Sequence, residues 1–131
     1  MKNKFLIVAS NYYKGITQTL INGSLNTLKT NKKKIKIIKV PGTFEIPVII
    51  SKNLGRFDGF IALGCVIKGE TPHFEFICNS TFNALQNLSI KSKKPIGNGI
   101  ITTLNMAQAK KRSLLKGQEA AKAVLEVISN G

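Results

Sequence analysis

A chain of 131 residues is one domain's worth of protein, able to bury a single core without disulfides or metal. Its 43% apolar content is ordinary for a soluble fold, and no stretch approaches the roughly 18 apolar residues of a membrane span, so no membrane-spanning helix is expected. The net charge of +14 invites a nucleic-acid reading, but Arg56 and Arg112 are the only arginines and the lysines are dispersed, densest at 32–34 and 91–94 between predicted elements, so no nucleic-acid partner is expected.

Met1-Lys2-Asn3-Lys4 followed by an apolar run imitates a signal peptide, but Asn11-Tyr12-Tyr13-Lys14 breaks the run after about six residues. The expectation is a cytoplasmic chain. Cys65 and Cys78 have neither CxxC spacing nor a clustered histidine, which reads as two reduced, buried thiols and no metal site.

Residues 5–9 form a continuous apolar run, the pattern of a strand covered on both faces. Ile16, Leu20 and Leu28 give a helical stripe that ends at the lysine turn. Residues 35–40 alternate with lysines as a second strand, stopped by Pro41-Gly42. A helix is predicted over 45–54, with Pro47 tolerable in its first turn.

The third strand spans 59–63. Phe74, Ile77, Thr81, Leu85 and Leu88 then follow at spacings of three and four, the clearest amphipathic helix in the chain. Residues 96–101 are a fourth strand. A further helix starts over 106–111, and Ala120, Ala121, Val124, Val127 and Ile128 mark a separate last one. The order βαβαβαβα, with crossovers long enough for parallel pairing, implies a single domain over 1–131. It is an α/β fold, a three-layer α/β/α sandwich on a four-stranded parallel sheet.

In such a sheet the loops after the strands converge on one edge. They begin at Ser10-Asn11-Tyr12-Tyr13, at Pro41-Gly42-Thr43-Phe44-Glu45, at Gly64 and at Thr102-Thr103. The third of these, Gly64-Cys65-Val66-Ile67-Lys68-Gly69-Glu70-Thr71-Pro72-His73, holds the chain's only histidine. Aromatic rings stack on planar heterocycles, glycines let backbone N–H groups approach a ligand, helix N-termini favour phosphate, and imidazole moves protons near neutral pH. Each piece also has a plainer role, since a lone histidine at a helix start is more often a cap or surface residue. No Walker A or GxGxxG fingerprint is present, so no nucleotide cofactor is indicated. On residues alone the expectation stops at a small anionic or heterocyclic ligand, with acid–base chemistry open to the histidine.

Four segments resemble the 6,7-dimethyl-8-ribityllumazine synthase family: Ile7-Val8-Ala9-Ser10; Val40-Pro41-Gly42-Thr43-Phe44-Glu45-Ile46-Pro47; residues 62–75, from Ala62-Leu63-Gly64 to His73-Phe74-Glu75; and Gly99-Ile100-Ile101-Thr102-Thr103. They stand in family order and spacing over nearly the whole chain. The resemblance implies a flavodoxin-like fold and a transferase of riboflavin biosynthesis that needs no metal or organic cofactor. It joins 5-amino-6-(D-ribitylamino)uracil to 3,4-dihydroxy-2-butanone 4-phosphate.

The resemblance further implies that His73 is the proton shuttle and that Tyr12 stacks on the pyrimidine. Thr43, Phe44 and Glu45 line the ribityl and pyrimidine side. The backbone of Cys65, Val66 and Ile67 reads the uracil edge, Glu70 and Thr71 start the helix that receives the phosphate, and Arg112 clamps that phosphate. Homopentamers are implied, packed in some members into a 60-subunit shell, with Asn98 and Arg112 reaching a neighbour's site and riboflavin synthase as a partner.

Three departures stand out. Asn98 occupies a place where many relatives carry Phe; only Ser113-Leu114-Leu115 separate Arg112 from Lys116-Gly117, a shortened connection; and the chain is expected to lack most of the N-terminal extension that pairs with a neighbour's sheet.

Overall fold

The computed structural model describes residues 3–29, 34–70 and 72–131. Its central strand, Phe5–Ser10 (β1), is buried at every position because the two faces of the strand feed two different cores. Phe5, Ile7 and Ala9 point into a cluster with Ile16, Leu20, Ala121 and Val124. Leu6 and Val8 point into one with Ile46, Ile50, Cys78 and Leu85. A helix layer on each side of the sheet explains why the strand reads as an unbroken apolar run rather than an alternating one.

The remaining elements are α1 (Lys14–Leu28), β2 (Ile35–Val40), a 3-10 turn (Thr43–Glu45) leading into α2 (Ile46–Lys52), β3 (Gly59–Ile67), α3 (Phe74–Ser92), β4 (Ile96–Thr103) and α4 (Met106–Ser129). All strand pairs are parallel and the sheet order is β2-β1-β3-β4. α1 and α4 cover one face and α2 and α3 the other, the three-layer, flavodoxin-like arrangement expected from the sequence. The chain steps from β1 outward to β2, then returns past β1 to β3. Beyond the carboxyl ends of β1 and β3 this reversal opens a crevice, the usual ligand position in such sheets.

Two boundaries differ from the sequence reading in ways that matter for function. β3 does not stop at residue 63: Cys65, Val66 and Ile67 continue the ladder against Ile101, Thr102 and Thr103, so β4 also runs two residues past 101. The glycine at 64 reads as a loop signal, yet it lies within the strand and is buried. At the other end of the chain, the two predicted final helices are one helix of 24 residues. The short Ser113-Leu114-Leu115 segment leaves no room for a loop, and Ser113 and Gly117 are buried as part of the helix's inner stripe.

Lys91 lies in the last turn of α3, where a cation complements the helix dipole, and Lys93 is its left-handed C-cap. Of the other lysine run, positions 32 and 33 lie outside the described residues.

Candidate active site

The crevice at the strand-order reversal holds a cavity of about 230 Å³. Its floor is the end of β3, Cys65-Val66-Ile67, with Ser10 from β1 beside it. Tyr12 and Tyr13, following β1, form one wall, Gly42, Thr43 and Phe44, following β2, another, and Glu70 and Ile77 close the side toward α3.

Local chemistry fixes each wall. Asn11 N–H donates to the Val40 carbonyl at 2.8 Å, holding the segment after β1 against the end of β2. The Thr17 hydroxyl lies 2.5 Å from the Ser10 carbonyl and 2.9 Å from that of Tyr13, so the segment carrying the tyrosines is tied to the first turn of α1. Tyr12 and Tyr13 meet edge to face, with ring centroids 4.9 Å apart. Tyr12 is 71% exposed and Phe44 62% exposed, leaving two aromatic faces open to a planar guest.

On the β3 side, Gly69 at φ +91° supplies the left-handed residue of the turn in which Glu70 N–H returns to the Ile67 carbonyl at 3.2 Å. The Glu70 carboxylate accepts a hydrogen bond from the Tyr13 hydroxyl at 2.8 Å. Burial is the main reason the Tyr13 hydroxyl is pushed well above the ordinary tyrosine range, with the bond to Glu70 and its negative charge adding to it. The Cys65 thiol, 7% exposed, is pushed up to about 11 by burial, and the Glu70 charge acts in the same direction. At neutral pH it is an uncharged wall atom and not a nucleophile. Cys78, raised by burial, is inert for the same reason.

Seven residues singled out in the sequence, Tyr12, Thr43, Phe44, Cys65, Val66, Ile67 and Glu70, meet around this one cavity. His73 stands at the N-cap of α3, exposed, with its carbonyl accepting from Ile77 N–H at 2.8 Å. It is thus one helical turn from a residue that lines the cavity. Thr71 lies outside the described residues.

Three others sit elsewhere. Glu45 turns its carboxylate onto Gly42 N–H at 2.9 Å, stabilising the turn that presents Thr43 and Phe44, and it lines a neighbouring cleft with Pro47 and Val48. Asn98 pairs with Ala62, three residues before the register of Cys65 with Ile101, so it is about 10 Å back along the sheet. Its side-chain oxygen accepts from Ile100 N–H at 3.1 Å. Arg112 is exposed on α4, held on a continuous helix instead of a loop.

Ser10, Tyr13, Gly42 and Ile77 line the cavity without having been singled out as ligand contacts. Ser10 ends β1, and Ile77 follows His73 by one helical turn, so both could have been reached by extending strand and helix periodicity by one step. Residue type and position alone do not separate Tyr13 from Tyr12; only the family resemblance singles out Tyr12.

Among the described residues no group of three or more His, Cys, Asp and Glu side chains is placed to hold a metal ion, and no helix is long and apolar enough to cross a membrane. The arrangement offers planar stacking, strand-end backbone groups, a carboxylate and an imidazole at the start of a helix.

The family model described as 6,7-dimethyl-8-ribityllumazine synthase matches residues 2–130. A 6,7-dimethyl-8-ribityllumazine synthase of Bartonella henselae is 42% identical over 132 residues, covering 95% of this chain and 85% of that protein. One from Nitratidesulfovibrio vulgaris is 40% identical over 134 residues, covering 95% and 86%. One from Buchnera aphidicola is 40% identical over 133 residues, covering 94% and 84%. With a crevice at the family's expected place and a match that leaves almost no residue unaligned, the chain belongs to the 6,7-dimethyl-8-ribityllumazine synthase family.

Proposed function

We propose that the chain condenses 5-amino-6-(D-ribitylamino)uracil with 3,4-dihydroxy-2-butanone 4-phosphate to give 6,7-dimethyl-8-ribityllumazine, phosphate and water, the penultimate step of riboflavin biosynthesis. The observation that carries this reading is the meeting of the Tyr12 and Phe44 faces with the end of β3 and the Glu70 turn around one cavity, in a chain of that family.

The pyrimidine lies against Tyr12, its edge facing the backbone of Cys65, Val66 and Ile67, with Thr43, Phe44 and Glu45 toward the ribityl chain. The ketone carbon of the butanone phosphate faces the amine, and its phosphate lies toward Glu70, Thr71 and the first turn of α3. The amine attacks the ketone, water leaves to give an imine, phosphate is eliminated, and the second nitrogen closes the ring with loss of water. His73 takes the proton from the attacking amine and returns it to a departing oxygen. Most of the acceleration comes from holding two substrates in reacting geometry, which suits a site with one imidazole.

A cavity of about 230 Å³ falls below the roughly 300–1,000 Å³ of ordinary ligand sites. Asn98 and Arg112 stand away from it in their own chain. Both facts support a homo-oligomeric enzyme, a pentamer by itself or packed into a 60-subunit shell, in which a neighbour's Asn98 and Arg112 complete the site. The chain acts in the cytoplasm and passes its product to riboflavin synthase.

Mixing the two substrates with purified protein and following product absorbance together with inorganic phosphate tests the reaction. One phosphate released per lumazine, faster than in the protein-free mixture, is the expected result; a rate equal to that mixture refutes it. Size-exclusion chromatography with light scattering tests the assembly, and an active monomer would overturn the shared site.

A further inference from the structure

A side-chain hydrogen bond joins two loops 57 positions apart, from the Tyr13 hydroxyl to the Glu70 carboxylate at 2.8 Å. Tyr13 stands at the N-cap of α1, and its ring packs edge to face with that of Tyr12. Glu70 ends the turn that leaves β3, three positions before His73. Both residues line the cavity. Resting on the function proposed above, we infer that Tyr13 is a positioning residue for that condensation. Its hydroxyl anchors the Glu70 turn, and the start of α3 behind it, to the aromatic wall that holds the planar substrate.

Three observations support this. Tyr13 is half-buried while Tyr12 is 71% exposed, so the two adjacent rings have different jobs and only Tyr12 offers a free face. A tyrosine reaches across the crevice with two side-chain torsions, losing little freedom for the bond that it makes. The acceptor is a carboxylate in a cavity proposed to receive a phosphate ester, where an unrestrained negative charge would repel the substrate. A hydroxyl donor fixes one oxygen and takes up part of its charge. A phenol is a donor throughout the neutral range, and burial and Glu70 extend that range upward into alkaline pH.

Tyr13→Phe keeps the ring and its contact with Tyr12 and removes only the donor. It should lower kcat by about 10- to 150-fold, the range of a hydrogen bond to a charged group, with KM for the ribitylaminouracil changed less than about twofold. Glu70→Gln, which keeps an acceptor oxygen, should lose less than Glu70→Ala. In the Glu70→Ala background, adding Tyr13→Phe should cost nothing further. Full activity of Tyr13→Phe, or losses that simply add in the double variant, would overturn the inference.

Amide exchange supplies a readout independent of turnover: the Glu70 N–H should exchange faster in Tyr13→Phe, and unchanged protection would again overturn it. Failure of the wild-type protein to form lumazine would sink the proposed reaction, while the exchange measurement would still decide whether the tie exists.

Discussion

The Ser24 hydroxyl donates to the Gly117 carbonyl at 2.9 Å, deep in the crossing of α1 and α4. The two helices meet there almost backbone to backbone: a Cβ on Gly117 would overlap the Leu20 carbonyl, and one on Gly23 the Leu114 carbonyl. In an exposed helix, replacing glycine by alanine stabilises by roughly 1 kcal/mol. Here a rigid carbonyl occupies the space that the methyl needs. Gly117→Ala should therefore destabilise by about 1–3 kcal/mol, read as a lower urea midpoint at fixed protein concentration. A raised midpoint would mean that α1 and α4 stand farther apart than described.

His73→Ala should slow lumazine formation by about 10- to 1,000-fold, since general acid–base groups contribute about 10²–10⁴ and the uncatalysed condensation is itself facile. The side chain is exposed at a helix start, so the fold should survive. Unchanged turnover in a variant of wild-type assembly would remove His73 from proton transfer.

Arg112 projects from a continuous helix, so its reach is set by helix geometry. Arg112→Lys keeps the charge and loses the two-pronged fork. Apparent affinity for the butanone phosphate should fall by about 1–2 kcal/mol, the scale of one charge-assisted hydrogen bond, and affinity for the ribitylaminouracil should hold. If neither moves, Lys116, one turn along the same helix face, is the cation to replace next.

Alkaline stability follows from Cys65. Its thiol titrates near 9.0 unperturbed and near 11 in the fold, raised by burial and then by the Glu70 charge. Between those values the unfolded chain releases a proton that the folded chain keeps. The contribution is therefore complete below pH 9 and is lost as pH rises toward 11, on the order of 2 kcal/mol in all. The raised Tyr13 hydroxyl adds loss of the same sign above its ordinary 10.0. Urea midpoints from pH 8 to pH 11 should drop less steeply for Cys65→Ala than for the wild type. Parallel curves would show that the thiol is not the titrating group.

The sheet and its two helix layers were legible because β1 and the α3 stripe carry their burial in their residue types. Convergence of Tyr12, Thr43, Phe44 and Glu70 followed from topology alone, since parallel strands bring those loops to one edge. What escaped was set by contacts between distant segments. Gly64 reads as a loop signal, and only pairing of Cys65–Ile67 with Ile101–Thr103 makes it strand. Gly117 is expected beside a connection between two final helices, and only the close approach of α1 makes it a packing position within one helix. The Tyr13 bond to Glu70 depends on which of two neighbouring tyrosines faces inward, which composition cannot say.

The extra length of β3 changes the thermodynamics of ligand capture. Lys68 N–H is bonded to the Thr103 carbonyl at 2.8 Å, so the ladder closes right behind the cavity floor. Ordering a free residue costs roughly 1–2 kcal/mol, and a floor drawn from a loop would incur that for each of Cys65, Val66 and Ile67 on every encounter. A floor drawn from the sheet has met that cost once, during folding. The entropy lost on binding then falls on the rings of Tyr12 and Phe44, which project into solvent. Calorimetry on Tyr12→Ala and Phe44→Ala should find smaller entropic penalties beside weaker enthalpies, while amide protection at Cys65–Ile67 stays the same with or without ligand.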